Sequence, residues 1–205
     1  MHAEAPRHGI APPMMFANSH QWTVAEVRAM QDEERIWPRF ELIDGELIVT
    51  PAQIGVHERA VAELRDLLEP YVRAQHVGMV EVSPADIELE AGSLVQPDVF
   101  VTPLVDGHAP IKWPETQLLL AAEVTCAPSA HVDRVTKRRF YTRVGVAEYW
   151  VVDLEAYVIE RNVGAETRPE IHDDTLSWHP AKADGPLVID IRSYFERIYR
   201  RDDVA

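Results

Sequence analysis

The sequence predicts an α/β (α+β) layer fold, a central mixed β-sheet flanked by helices. Three observations predict it. Short apolar runs at residues 95–101 and 118–124 read as buried strands. Two longer stretches, 57–74 and 129–144, repeat apolar residues at three- and four-residue spacing. Asp44-Gly45 lies between apolar runs, which signals a hairpin because both turn positions favour positive φ. The chain has 205 residues, enough for one domain with a full core. Residues 1–20 read as a flexible arm, 21–200 as a single domain and 201–205 as a tail.

Taken in order, Thr23-Val24-Ala25-Glu26 fits a capping box and starts a helix to about residue 35. Pro38 blocks its continuation. The hairpin spans 40–49 and Pro51 ends it. In the helix over 57–74, Val61, Leu64, Leu67, Leu68 and Tyr71 form the apolar stripe, and Pro70 predicts a kink or an early end. Residues 79–82 and 87–89 read as strands, with a turn at 91–93 leading into the Asp98 strand. Residues 105–114 form a loop before the Glu123 strand. A helix over 129–144 follows, and Gly145 stands where a left-handed C-cap belongs. Strands at 148–153, 157–161 and 187–191 and a closing helix near Tyr194 complete the order. The aromatic residues Trp113, Tyr149, Trp150 and Trp178 serve either the core or an interface.

The formal net charge is -14, which argues against a general nucleic-acid coat protein. It leaves room for a local basic patch. Residues 131–143 carry Arg134, Lys137, Arg138, Arg139 and Arg143 against Asp133 alone, and a weaker patch lies at 192–201. The commoner meaning of such a run is a solvated helix face. No apolar run approaches the roughly 18 residues of a membrane helix. No signal peptide is recognisable at the start, and the single Cys126 forms no internal disulfide. A cytoplasmic protein is the expectation, with Cys126 as a small packing residue.

Asp98 and Glu123 each stand at the end of an apolar run, and a buried carboxylate is costly unless it is paired or holds a metal. Hard divalent cations take oxygen ligands, so neighbouring strands can bring these two acids around magnesium or manganese. The backbone carbonyl of Val124 is a further candidate ligand. Taken singly, each acid reads more readily as a solvated strand end. Lys137 shares a helix stripe with Asp133 and Tyr141 at i, i+4, i+8. It serves either the acids or an ordinary Asp133 pair worth about 0.3–0.5 kcal/mol. Glu41, Glu46 and His57 are weaker candidates, each with a solvated alternative. No zinc spacing, Walker loop or nucleophile elbow is present.

Together these motifs resemble a bacterial family described as putative restriction endonuclease, a branch of the PD-(D/E)XK nuclease superfamily. The resemblance spans about 22–200. It rests on Phe40-Glu41-Leu42-Ile43-Asp44-Gly45-Glu46-Leu47, His57, Gln96-Pro97-Asp98-Val99, Glu123-Val124, Asp133-Arg134, Lys137-Arg138, Tyr141 and the run 145–153. It implies a restriction-endonuclease-like sheet, a magnesium-type site and hydrolysis of DNA. Asp98 and Glu123 match the metal-binding acids, and Glu46 resembles the additional acid of the hairpin. The superfamily lysine two residues after the second acid is Thr125 here, and Lys137 fits the substitute lysine of this branch. The run 125–129 departs from the family's Ser-Pro-Ser but keeps its length, which bears on loop shape rather than chemistry.

The leading expectation is a metal-dependent endodeoxyribonuclease, with Asp98, Glu123, Lys137 and Glu46 in the site. Arg134, Arg138 and Arg143 would contact the DNA backbone, which positions DNA without reading sequence. A homodimer is expected, because cutting both strands needs two sites. The net charge and Thr125 motivate a second reading, a nuclease-fold binding or assembly module with weak or no catalysis. A hydrolase of another phosphate ester is a third.

Overall fold

The computed structural model describes residues 14–16, 20–31, 37–53, 55–108, 110, 117–126, 129–164 and 168–200. Strand β1 (Met14–Phe16) falls within the stretch read as a loose arm, and it pairs antiparallel with β3. Helix α1 (Val24–Gln31) begins with the expected capping box. The Thr23 N–H donates to Glu26 Oε2 at 2.8 Å, and the Glu26 N–H donates back to Thr23 Oγ1 at 3.3 Å. Strands β2 (Arg39–Ile43) and β3 (Glu46–Thr50) make the hairpin, with Asp44 and Gly45 at φ 54° and 77°.

Helix α2 (Gly55–Ala74) runs through Pro70 without ending there, contrary to the early stop its ring suggests. Pro70 and Asp66, whose carbonyl the missing N–H would have met, both lie on the solvent side, so water can take the freed acceptor. A six-stranded sheet follows in the order β4-β5-β6-β7-β8-β9. Its members are β4 (Gly78–Val82), β5 (Val99–Pro103), β6 (Leu120–Thr125), β7 (Glu148–Asp153), β8 (Val158–Val163) and β9 (Glu170–His172). Only β6 and β7 pair in parallel, so the sheet is mixed as expected. The stretch 87–89 is no strand: Ile87 makes one isolated bridge to Val95. Residues 111–116, including Trp113, lie outside the described residues.

A π-helical segment (Val132–Lys137) runs directly into α3 (Arg138–Arg143), and Gly145 follows at φ 78°. Strands β10 (Thr175–Trp178) and β11 (Leu187–Asp190) form a separate hairpin, and α4 (Ile191–Tyr199) closes the chain. The sheet divides the interior in two. Val99, Val101, Leu120, Ala122, Val124, Trp150 and Val152 face α2 and α4 with Trp178. Phe100, Ala121, Tyr149 and Val151 face the other way, against Phe140, Tyr141 and Val132 of the π-helical segment and α3. Tyr149, Trp150 and Trp178 are thus core residues. Among the described residues, no helix is long and apolar enough to cross a membrane.

Candidate active site

The site forms where the sheet's second face runs out of apolar residues. Strands β5 and β6 pair antiparallel with Val99 opposite Ala122, and continuing that register sets Asp98 opposite Glu123. Residues directly opposite share a face. Asp98 lies two residues before Phe100, and Glu123 two after Ala121, so both carboxylates stand on the face covered by the π-helical segment and α3. The Val124 N–H donates to Asp98 Oδ2 at 2.9 Å, tying the first acid to the strand of the second. Both acids are buried.

Lys137 covers them. Its Nζ lies 3.0 Å from Glu123 Oε1, 2.9 Å from Glu41 Oε2 and 4.0 Å from Asp133 Oδ1. The Tyr141 hydroxyl donates to Glu123 Oε1 at 3.1 Å. Asp98 receives Arg39 Nη1 on Oδ1 at 2.6 Å and His57 Nε2 on Oδ2 at 3.1 Å. Thr50, Gln53 and Ser129 complete the wall of a cavity of about 20 Å³, room for one water or a bare ion.

The buried charges set one another's protonation. Burial works against the Asp98 carboxylate, but His57 and Arg39 outweigh it and hold the group well below the usual range. Burial likewise opposes the cation of Lys137, and Glu123, Glu41 and Asp133 reverse that and keep it charged. His57 is raised because Asp98 overcomes the effect of burial. Glu123 is pushed well up, first by burial and then by Asp98, Glu41 and Asp133, although Lys137 pulls the other way. Acid is therefore in excess around Glu123.

Asp98 and Glu123 supply the oxygens that could hold a hard cation. Among the described residues, no group of three or more His, Cys, Asp or Glu is arranged so that it could hold a metal ion. Magnesium-type ions need no such group, since water and substrate phosphate fill the remaining positions.

The structure brings together Asp98, Glu123, Val124, Lys137, Glu41 and His57, with Tyr141 beneath Glu123. It leaves Glu46 apart. Glu46 is opposite Ile43 at the turn end of the hairpin, whereas the cleft lies at its open end, where Arg39 is opposite Thr50. Four residues of strand, about 13 Å at about 3.3 Å each, separate Glu46 from Thr50. Arg143 sits at the turn end too, paired with Asp44 at 2.8 Å and Glu90 at 2.5 Å. Arg134 pairs with Asp153 and Glu160 on β7 and β8. Arg138 is half-buried, and its guanidinium has no hydrogen-bond or ion-pair partner among the described residues. Cys126 is half-buried, and burial pushes its thiol up, as suits a packing residue.

Arg39 escaped the sequence reading, as did the role of Asp133. The signal for Arg39 was present. In β2 the alternate residues Arg39, Glu41 and Ile43 share a side, and Ile43 belongs to the second core. Two charges on a buried face should have flagged each other.

A central mixed sheet flanked by helices, with two buried acids on one face, is the architecture of a restriction-endonuclease-like fold. The chain belongs to the Uma2 family, described as "Putative restriction endonuclease", whose model matches residues 24–194. The fold is similar to that of a crystal structure described as "a putative nuclease belonging to DUF820", from Anabaena variabilis. That likeness has a TM-score of 0.65 at 16% identity and covers 84% of this chain and 98% of the other. None of the curated proteins matches.

Proposed function

We propose that the chain is a metal-dependent endodeoxyribonuclease that hydrolyses DNA phosphodiester bonds. One observation carries the reading: Asp98 and Glu123 share a sheet face, and the Lys137 ammonium lies 3.0 Å from Glu123. Bound magnesium or manganese would polarise the phosphoryl oxygens and stabilise the charge that develops there. Asp98, Glu123 and the Val124 carbonyl would hold it.

The chain's own groups do the rest. Lys137 stays charged and forms ion pairs with Glu123 and Glu41. An ammonium carries three donors, so it can also orient a water or meet a phosphate oxygen. Tyr141 fixes Glu123 from below, and the Gln96 N–H fixes Glu41 at 2.9 Å. Such pre-set donors cost no reorganisation during the reaction. Arg134 and Arg143 already hold carboxylates, so Arg138 and its neighbour Arg139, which hold none among the described residues, would meet a DNA backbone. Cutting both strands calls for a homodimer, and the cytoplasm is where such a protein meets DNA.

Supercoiled plasmid tests the proposal. The wild type should nick it with magnesium or manganese and not with a chelator present. Asp98→Ala and Glu123→Ala should each slow nicking by about a hundredfold or more. Full activity in Glu123→Ala would refute the site. The net charge of -14 and Thr125 at the superfamily's lysine position motivate the other reading, a binding or assembly module, and a folded protein with no metal-activated nicking would establish it.

A further inference from the structure

We infer that Arg39 holds the divalent cation's place in the free protein and passes to a DNA phosphate when the cation binds, so that metal and DNA load cooperatively. The inference rests on the nuclease reading above.

It starts from how the Asp98 carboxylate is occupied. Oδ2 accepts from the Val124 N–H at 2.9 Å and faces His57 Nε2 at 3.1 Å, so both its lone pairs are engaged. Oδ1 has one partner, Arg39 Nη1 at 2.6 Å. A metal ion therefore finds its seat on Oδ1, and the guanidinium already sits there. Both side chains are nearly buried, so little water lies between to screen the repulsion of a second cation. The ion and Arg39 exclude each other from that oxygen.

The surroundings say where the guanidinium goes. The other acid on its side of β2, Glu41, is already held by Lys137 and the Gln96 N–H. The Arg39 guanidinium lies over the Trp37 ring, 4.5 Å from its centroid. That flat support lets the group shift while keeping a favourable contact. Thr50 and Gln53 line the same cavity, and the Gln53 amide makes no hydrogen bond among the described residues. A guanidinium released here presents paired donors that match two phosphate oxygens. Meanwhile His57 and the Val124 N–H keep Asp98 aimed. The arginine that weakens metal binding in the free protein thus becomes a phosphate ligand in the loaded one.

The test measures binding, not turnover. Mn²⁺ affinity is read by electron paramagnetic resonance without DNA, and duplex affinity with Ca²⁺ in place of the active ion. Arg39→Met should bind Mn²⁺ about tenfold more tightly than the wild type and bind duplex about tenfold less tightly. Arg39→Lys, which keeps the charge, should stay near the wild type for Mn²⁺ and fall between for duplex. Arg39→Gln repeats the first test if the Met variant does not fold. Unchanged or weaker Mn²⁺ affinity in the uncharged variants overturns the inference, and so does unchanged duplex affinity. If Asp98→Ala binds Mn²⁺ as well as the wild type does, the nuclease reading itself fails, a result distinct from either of those.

Discussion

Glu123 sits in an electrostatic conflict. It is buried among Asp98, Glu41 and Asp133 with Lys137 as its near cation, and its proton is held well above the usual carboxylate range. A group raised on folding adds stability that is complete below its unfolded pKa and lost as pH rises toward the folded one. The metal-free protein should therefore weaken from about pH 4 upward on account of this residue. Glu123→Gln removes that loss. Its melting temperature should exceed the wild type's at pH 8, and the gap should close near pH 4, as followed by circular dichroism in chelator. A variant that is less stable at every pH would contradict the charge balance described. Asp98 and Glu123 stood out in the sequence because a charge inside an apolar run has few uses, whereas Lys137 lies in a charged run and stood out only through its stripe with Asp133 and Tyr141 and through the family resemblance. Glu41 and Glu46 were not separable there. Both lie on one side of the hairpin, and only the docking of its open end against β5 and β6 decides between them.

Among the elements, the π-helical segment matters most, since it carries both Asp133 and Lys137. Such segments are rare and recur at functional sites. The sequence predicted a helix there, and the helix exists. Its wider winding was illegible because residues four apart still fall on nearly one face in either form. Other local signals were read correctly, the Thr23–Glu26 cap and the Asp44-Gly45 turn among them, because each is a side-chain or φ requirement met within a few residues. The stretch 87–89 misled, since apolar residues can pack under a loop without a partner strand. Helix α2 yields a prediction at this scale. Pro70 lacks the N–H that would close the bond to the Asp66 carbonyl, and it faces solvent, so no packing is lost on replacing it. Pro70→Ala should stabilise the protein by about 1–3 kcal/mol in urea unfolding. A destabilised variant would show that the ring has a packing role.

Apart from His57 at the start of α2, the described residues keep the supporting core and the site on opposite faces of the sheet. One face of the six-stranded sheet holds the larger apolar core with α2 and α4, and the acids lie on the other face at one end. Damage to the first core should thus cost stability before activity. Leu64 is fully buried in α2, and Leu64→Ala should lose about 2–5 kcal/mol. Below its lowered melting point it should nick plasmid at the wild-type rate, and a proportionate fall in rate would show the two faces coupled. Metal-dependent cutting requires Asp98 and Glu123 to share one ion. An anomalous difference map from manganese-soaked crystals addresses this directly. We expect a peak within about 2.0–2.3 Å of a carboxylate oxygen of each acid, with Arg39 moved off Asp98. No peak there, or one bound by Glu123 alone with Asp98 still held by Arg39 and His57, would contradict it.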